Sequence, residues 1–361
     1  MRVLVLLSGG VDSAMVAYLL KKQGHDVSGM FMKNWTPLDV QNPGDCPWQQ
    51  DQDDAEAVAK HLSIPFRSVN FEKEYQRDVA SYFVSEYAAG RTPNPDVLCN
   101  QKIKFGVAWQ WAKERGFDMI ATGHYARIVR RTGQLYIGRG RDRAKDQSYF
   151  LAAVPNEVVP HILFPLGDLR KTRVRHIAAT INLPVAQKKD SQGICFVGHL
   201  PVRTFLRESL HTTPGNVVAP DGSVIGTHDG AELYTIGQRH GFRITDAAVA
   251  ATAFGAEPTK LPPLFVIAKD VQQNTVTVDG AHSLVLHPHT IEVSDVVWIG
   301  TAVRKADVQI RYRTAAIPAT VEDQPDGRYR LVARRAFVAP AAGQFAVLYI
   351  KGVVVGCGHV V

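Results

Sequence analysis

An apolar run at residues 3–7 stops at the hexapeptide Ser-Gly-Gly-Val-Asp-Ser, residues 8–13, and a helical pattern begins directly after it. A buried strand that turns at two glycines into a helix points several backbone N–H groups at one place, which favours an anion. The two serines add hydroxyl donors, and Asp12 could hold a Mg²⁺ ion that bridges phosphate oxygens. The Walker A pattern does not occur in the chain. The hexapeptide predicts a nucleotide-binding loop, with an ordinary glycine turn as the alternative.

The length, composition and charge of the chain limit the kinds of protein that it can be. A length of 361 residues exceeds one ordinary core and predicts two or three domains. Apolar residues make up 45% and charged residues 21%, as is typical of soluble globular proteins. No apolar run is long enough to span a membrane, and the N-terminal run is too short for a signal peptide, so we expect a cytoplasmic protein. We also expect a monomer. A net charge of +7 favours a polyanionic partner such as RNA or DNA.

Strand and helix patterns alternate through the first part of the chain. Strand patterns recur at residues 27–32, 66–71 and 119–124, and helical patterns lie between them. This alternation predicts a parallel sheet with helices on both faces. Ligands bind such sheets beyond the carboxyl ends of the strands, where the loop at residues 8–13 lies.

The alternation ends near Gly198, and β-type patterns follow. Turn-rich residues 214–240 predict a small β structure, and the Ala/Thr-rich residues 245–260, which lack periodicity, predict an exposed loop. Strands are predicted at 264–268, 275–278, 291–299, 308–313, 316–321, 328–332 and 346–355. This succession predicts a β-barrel or sandwich.

The chain has four cysteines and no Cys-x-x-Cys pair, so a structural zinc site is poorly supported. Cys99 follows a double-proline break and precedes a helix predicted from Gln101, where the helix N-terminus and nearby lysines would favour a thiolate. Asp96 is a general base, a substrate-orienting group or a helix N-cap. An inert buried thiol is the alternative for Cys99.

Cys195 follows a Ser-Gln-Gly turn, and Lys188 and Lys189 upstream could attract an anionic substrate. Because its two neighbours Ile and Phe are apolar, a core position is an equal alternative for Cys195. Cys46 and Cys357 lack acid–base neighbours and are interpreted as bystanders.

Two further polar clusters suggest an RNA-binding surface. Residues 145–149 read Lys-Asp-Gln-Ser-Tyr and combine groups that bind phosphates with groups that bind base edges. Arg311, Tyr312 and Arg313, on a predicted strand, offer guanidinium groups and a ring that can stack on unpaired bases. A solvated polar face is the alternative for both clusters.

Taken in order, these motifs resemble one family. The loop at residues 8–13 resembles the pyrophosphate loop of the N-type ATP pyrophosphatases, which adenylate carbonyl oxygens. Within that family, the bacterial-type tRNA-specific 2-thiouridylases are similar at residues 31–35, 94–100, 121–127, 145–149, 193–196 and 235–239. The chain departs from the family pattern at His240, where a lysine is usual, at Gln192, where a small residue is usual, and in its longer Ala/Thr stretch.

The resemblance implies a fold and a set of site residues. The fold would be α/β, with a parallel-sheet ATP pyrophosphatase domain over residues 1–200, a small central domain, mainly β, over 201–272, and a C-terminal β-barrel with tRNA contacts over 273–361. ATP would bind at Leu6, Leu7, Ser8, Gly9, Gly10, Val11, Asp12, Ser13, Met32 and Gly123. tRNA would contact Asn94, Pro95, Asp96, Lys145, Asp146, Gln147, Arg311 and Tyr312. Asp96, Cys99 and Cys195 would be catalytic, with a persulfide on Cys195 and Cys99 as the partnering nucleophile.

The resemblance also implies a reaction, in which ATP and Mg²⁺ support replacement of the 2-oxygen of the wobble uridine by sulfur, in tRNAs of the Lys, Glu and Gln type. A cysteine desulfurase or relay protein would load the Cys195 persulfide, and Cys99 would release hydrosulfide or form a disulfide with Cys195. Two alternatives stand beside it. One is a small-molecule ligase that acts through an adenylate, and the other is a non-catalytic RNA-binding protein with a regulatory nucleotide loop.

Overall fold

The computed structural model describes residues 1–36, 47–189, 202–280, 283 and 289–361, and Cys46 lies outside these ranges. The strands are β1 (Arg2–Leu6), β2 (Asp26–Lys33), β3 (Phe66–Asn70), β4 (Met119–Ala121), β5 (Ala126–Arg131), β6 (Gln134–Arg139), β7 (Ile162–Leu163), β8 (Gly215–Val218), β9 (Val224–His228), β10 (Arg243–Ile244), β11 (Leu264–Asp270), β12 (Thr275–Gly280), β13 (Thr290–Trp298), β14 (Lys305–Gln309), β15 (Ile317–Asp323), β16 (Tyr329–Ala333), β17 (Phe345–Ile350) and β18 (Val353–Val360). The α-helices are α1 (Val11–Lys22), α2 (Pro47–His61), α3 (Glu72–Tyr75), α4 (Ser81–Ala88), α5 (Pro95–Leu98), α6 (Ala108–Glu114), α7 (Lys171–Thr180), α8 (Val202–Leu210) and α9 (Ala247–Phe254). Gln76–Ala80 and Cys99–Val107 are π-helical, and Ser148–Leu151, Val159–His161 and Ala231–Leu233 are 3₁₀ turns.

The first sheet is parallel, with strand order β3-β2-β1-β4-β7. Alternate residues of β1 face opposite sides. Val3 and Val5 pack in one apolar cluster with α1, α2 and α7, and Leu4 and Leu6 pack in another with the helical residues of 71–112. Helices therefore cover both faces, which confirms the predicted parallel α/β fold.

The helix that carries Cys99 begins earlier than predicted. Asn94 is its N-cap and accepts a hydrogen bond from the Val97 N–H at 3.3 Å, and Pro95 occupies the first helical position, where no N–H is needed. The helix runs on through the π-helical segment into α6. A start near Gln101 was therefore wrong, because the cap and the proline place it six residues upstream.

The second sheet has strand order β10-β9-β8-β12-β11 and confirms the small β structure predicted for residues 214–240. The predicted domain boundary at residue 272 assigns β12 to the barrel. In the structure, β12 pairs with β8 and β11 of this second sheet.

The Ala/Thr-rich segment is not the exposed loop that was predicted but contains α9. Asp246 caps the helix by accepting from the Val249 N–H at 2.9 Å, and Gly255 ends it at φ +58°. Alanine has the highest helix propensity, and Ala250 and Ala251 are buried. A run of alanines shows no apolar periodicity because the residues on both faces are alike.

The C-terminal strands form a sheet in the order β13-β16-β15-β14-β17-β18, which closes through pairing of β13 with β18 and confirms the barrel. The β5–β6 hairpin joins this sheet where Gly138 lies opposite Val353. One strand predicted at 346–355 is in fact a hairpin, because Lys351 and Gly352 adopt positive φ and divide it. No helix in the described ranges is both long and apolar enough to cross a membrane.

Candidate functional site

The loop at residues 8–13 has the geometry of an anion cradle. Gly9 has φ +70°, and a Cβ there would lie 2.3 Å from the carbonyl oxygen of Asp51, so this position requires glycine. Ser13 Oγ accepts from the Ser8 N–H at 3.1 Å and donates to the Gly10 carbonyl at 3.0 Å, which folds the loop onto the first turn of α1. Gly10 caps α1 without a side-chain hydrogen bond, so the start of this helix suits an anionic ligand.

The residues predicted to bind ATP meet at the carboxyl edge of the parallel sheet. Leu6 ends β1, Met32 is the second-last residue of β2, and Gly123 follows β4. A Cβ on Gly123 would lie 3.0 Å from the Ser13 nitrogen, so this glycine allows close packing against the start of α1. Leu7 and Val11 are buried beneath this edge. An anion cradle that can hold phosphates, with the end of a strand beside it where a base can lie, fits ATP.

Asp12 is paired with a lysine. Lys171 Nζ donates to Asp12 Oδ2 at 2.7 Å, and the Tyr125 hydroxyl donates to Asp12 Oδ1 at 2.8 Å. Among the described residues, no group of three or more His, Cys, Asp or Glu side chains could hold a metal ion. A Mg²⁺ ion bound by one carboxylate together with the phosphates of ATP needs no such group, so Mg²⁺ at Asp12 stays a prediction.

The sequence suggests that Lys188 attracts an anionic substrate, but in the structure two carboxylates bind its ammonium group. Its Nζ donates to Asp51 Oδ1 at 2.7 Å and to Asp54 Oδ2 at 2.5 Å. Burial alone disfavours the ammonium, but the two carboxylates outweigh it and raise the pKa of Lys188. Arg175 of α7 donates to the Lys188 carbonyl at 2.5 Å. Asp51 and Asp54 lie beyond the first turn of α2, where a carboxylate would interact with the helix N-terminus, and they bind Lys188 instead.

Cys99 is 1% exposed and packs in the apolar cluster of Leu6. It is the fifth residue of its helix, so the predicted effect of a helix N-terminus on the thiol does not apply, because that effect is confined to the first turn. Asp96 is half-buried in the first turn of α5, and Asn94, not Asp96, is the N-cap.

A line of hydrogen bonds connects the residue after Cys99 with the loop at residues 8–13. Asn100 Nδ2 donates to the Phe150 carbonyl at 2.9 Å, and the Phe150 N–H donates to the Gln147 carbonyl at 3.1 Å. Gln147 Oε1 accepts from the Tyr125 N–H at 3.1 Å, and the Tyr125 hydroxyl reaches Asp12. The buried thiol and the anion cradle therefore belong to one connected structure.

Asp146 holds the turn at residues 145–149 together from inside. Its carboxylate accepts from Arg139 Nη1 at 2.9 Å, the Gly140 N–H at 2.9 Å and Ser148 Oγ at 3.1 Å. The residue is buried, whereas Lys145 and Gln147 on either side are half-buried. A direct contact of Asp146 with tRNA would require one of these bonds to break.

Arg311, Tyr312 and Arg313 lie in the turn after β14, not on a strand as predicted, because β14 ends at Gln309 and Arg313 has φ +64°. Arg311 and Tyr312 line a cavity of about 410 Å³ at which all three parts of the chain meet. The lining consists of Asn94, Thr235, Ile236, Gly237, Gln238, Arg311, Tyr312 and Gln344. The structure thus brings Asn94 together with Arg311 and Tyr312, and it does not place residues 145–147 in this lining.

Cys195 lies outside the described residues, so its approach to Cys99 stays a prediction. On the N-terminal side of this gap, Lys188 binds Asp51 of α2. On its C-terminal side, the ring of Phe205 lies 5.8 Å from the ring of Trp35, which follows β2. Cys357 is buried in β18, and burial raises its pKa to about 12, which suits an inert thiol.

The sequence reasoning missed Tyr125, Lys171 and Asn100. Tyr125 and Asn100 lie within motifs that carry the family resemblance, so a signal for them was present. Lys171 lies 159 positions from Asp12, and nothing in its local sequence indicates the pairing.

Comparisons with known proteins agree along the chain. The family models described as the tRNA methyl transferase HUP domain, the tRNA methyl transferase PRC-barrel domain and the aminomethyltransferase beta-barrel domain match residues 1–199, 203–279 and 288–360. The tRNA-specific 2-thiouridylase MnmA of Chromobacterium violaceum is 44% identical over 362 residues, covering 99% of this chain and 91% of that protein. The protein of the same name from Bacillus subtilis is 41% identical over 354 residues, covering 96% and 91%. That of Akkermansia muciniphila is 42% identical over 360 residues, covering 99% and 98%.

Proposed function

The chain belongs to the tRNA-specific 2-thiouridylase family, and from that membership we propose that it uses ATP to replace the 2-oxygen of the tRNA wobble uridine with sulfur. The observation that carries this proposal is the line of hydrogen bonds from Asp12 of the anion cradle through Tyr125 and Gln147 to Asn100, the neighbour of Cys99. A phosphate site and a thiol that are held in one structure suit a reaction in which adenylation and sulfur transfer occur on the same base.

Activation by ATP comes first because a carbonyl oxygen is a very poor leaving group. The uridine O2 attacks the α-phosphorus of ATP, pyrophosphate leaves, and the base becomes an O-adenylate. The backbone N–H groups of the loop at residues 8–13 stabilise the charge on the departing phosphates. Met32 and Gly123 hold the adenine and the α-phosphate side of the nucleotide.

The base must leave the anticodon stack to reach the nucleotide, at a cost of a few kcal/mol that contacts in the pocket offset. Asn94 and Pro95, at the start of the helix that carries Cys99, contact the everted uridine. Asp96, in the first turn of this helix, orients the base or accepts its N3 proton. Lys145 and Gln147, with Arg311 and Tyr312, bind the tRNA around it.

Sulfur then arrives from a persulfide on Cys195. Its terminal sulfur attacks C2, AMP leaves, and the base is joined to Cys195 through a disulfide. The Cys99 thiolate attacks the Cys195 sulfur, which releases 2-thiouridine and leaves a Cys99–Cys195 disulfide. A dithiol reductant regenerates both thiols, and a persulfide-bearing protein reloads Cys195. In an equivalent order, Cys99 attacks the persulfide first and the released hydrosulfide attacks C2.

We assign these steps to three domains, with adenylation over residues 1–200, a central domain over 201–272 and a tRNA-binding barrel over 273–361. Pairing of β12 with β8 supports extending the central domain to Gly280.

The test is to incubate the purified chain with ATP, Mg²⁺, a persulfide donor and unmodified tRNA of the Glu type, followed by nucleoside mass spectrometry. We expect 2-thiouridine from the wild type and from Cys357→Ser, and none from Cys99→Ser or Cys195→Ser. Pyrophosphate release should require tRNA. Release at the full rate without tRNA would contradict the proposal and favour a small-molecule ligase.

A further inference from the structure

Arg311 is a half-buried cation whose side chain, among the described residues, donates to a backbone carbonyl and to no carboxylate. Its Nη2 donates to the Ile236 oxygen at 2.8 Å, and no described carboxylate forms an ion pair with it. Burial lowers the pKa of Arg311, although the nearby Tyr149 opposes this. An arginine carries five N–H donors, so most of its donors remain for a ligand. A half-buried charge without a counter-charge is costly, and an anion in the adjoining cavity would relieve that cost.

The carbonyl that holds Arg311 belongs to a firmly attached turn of the central domain. The Gly237 N–H donates to the Val266 carbonyl at 2.7 Å, and the Val266 N–H donates to the Gln238 carbonyl at 2.9 Å. Thr235 Oγ1 lies 3.2 Å from Thr92 Oγ1 of the first domain. The position of the Ile236 oxygen is therefore set by contacts with two other parts of the chain.

Gly237 is the residue that permits this turn. It has φ +85°, a conformation that side chains disfavour. A Cβ there would lie 3.0 Å from Ala339 Cβ and 3.5 Å from Arg311 Nη1. A distance of 3.0 Å is tighter than ordinary contact between carbon atoms, so either Ala339 or the turn would have to move by a few tenths of an ångström. A movement of the turn would take the Ile236 carbonyl with it.

We propose that the turn at residues 235–238 is a positioning element, which holds Arg311 through the Ile236 carbonyl so that its free donors face the cavity and bind a phosphate of the tRNA. This inference rests on the proposed function, since it assumes that tRNA occupies the cavity. By this proposal the central domain contributes to tRNA binding, although none of the catalytic steps described above uses a residue of that domain.

Salt dependence of tRNA binding tests the proposal, because each phosphate contact contributes to the slope of log Kd against log salt concentration. Loss of one contact should reduce that slope by about 0.7–0.9 between roughly 50 and 200 mM salt. We expect this reduction, and affinity weaker by roughly tenfold, for Arg311→Ala and also for Gly237→Ala, in which Arg311 is still present. The double variant should match Arg311→Ala.

Gly222→Ala is the matched control. Gly222 also lies in the central domain, has φ +86° and would present its Cβ to open space, so it reproduces the backbone strain without the contact. It should keep the wild-type slope. Should Gly237→Ala fold poorly, the Gly237→Ala/Ala339→Gly variant removes the short contact and should recover part of the lost slope.

Two outcomes separate the failure of this inference from failure of the proposed function. If Arg311→Ala lowers the slope but Gly237→Ala keeps it, the turn does not position Arg311, and the inference is overturned while the tRNA site stands. If Arg311→Ala itself leaves slope and affinity unchanged, the cavity is not a tRNA site and the inference falls with it. Production of 2-thiouridine by the wild type then decides independently whether the proposed reaction survives.

Discussion

Lys171 Nζ lies 2.7 Å from Asp12 Oδ2, so a cation from the start of α7 contacts the aspartate of the loop at residues 8–13. The side chain of Lys171 is 11% exposed and that of Asp12 is 30% exposed, so the pair is poorly screened by water. A bare carboxylate here would repel the phosphates of ATP. The lysine offsets that charge and, with Tyr125, holds the carboxylate in place.

We expect Lys171→Met to lower kcat/KM for ATP at least tenfold, about 1.4 kcal/mol, because it leaves the Asp12 carboxylate to repel the phosphates. We expect a similar loss for Asp12→Asn, because Lys171 and Tyr125 then lose the charged acceptor that holds them at the loop. The double variant should lose less than the product of the two effects, since both charges are then removed together. Pyrophosphate release in the presence of tRNA is the measurement. Asp26→Asn, which alters the exposed Arg2–Asp26 pair, is the control. A shift in the Mg²⁺ dependence for Asp12→Asn but not for Lys171→Met would make Asp12 a metal ligand and refute the pairing role.

Asp146 and Lys145 are neighbours for which we expect opposite effects. Asp146→Ala should lower the free energy of unfolding by about 2–4 kcal/mol, because Arg139 and three other donor groups lose a buried acceptor. Lys145→Ala should change it by less than about 1 kcal/mol and weaken tRNA binding. Urea unfolding and filter binding measure the two quantities. Normal stability with weak tRNA binding for Asp146→Ala would instead indicate a direct contact.

His124 predicts a specific pH dependence of stability. It is buried, with Nδ1 2.7 Å from Thr122 Oγ1, and burial followed by the charge of Lys104 holds its pKa well below 6.5. As pH falls below 6.5, the unfolded chain takes up a proton that the folded chain does not, so this residue removes up to about 1.4 kcal/mol of stability per pH unit.

His124→Gln should therefore lose less stability than the wild type between pH 6.5 and 5.5 (a range of about one unit, set by the ordinary histidine pKa). Urea unfolding at each pH gives the comparison. The exposed His61→Gln variant should follow the wild type. Equal slopes for His124→Gln and the wild type would show that the imidazole titrates alike in both states.

Asn94 has two roles that substitutions can separate. Asn94→Ala should cost about 1 kcal/mol of stability through loss of the cap on α5 and should also reduce thiolation. Asn94→Ser keeps a capping oxygen but lacks the amide, so stability should return while thiolation stays low. Unfolding curves and nucleoside mass spectrometry give both readouts. Full recovery of thiolation in Asn94→Ser would mean that Asn94 serves as a cap alone.

Local sequence patterns were sufficient to predict those elements whose signal lies within a few neighbouring residues. The strand, glycine turn and helix around residues 8–13 follow from apolar runs and backbone freedom, and the parallel sheet follows from their repetition. Errors arose where a short-range cue was ambiguous. The alanines of α9 give no contrast between its buried and exposed faces, so the helix was not predicted. The proline at the first position of the helix that carries Cys99 resembles a helix break, so the predicted start of that helix was too late.

The sequence by itself therefore determined the fold class, the strand–loop–helix at residues 8–13 and the family to which the chain belongs. The tertiary structure alone decided that Asp12 is held by Lys171, that Lys188 is bound to Asp51 and Asp54, and that Ile236 holds Arg311. Each of these pairs joins residues at least 75 positions apart. Charge pairing and carbonyl contacts depend on where distant segments pack, and no periodicity or spacing along the chain records that.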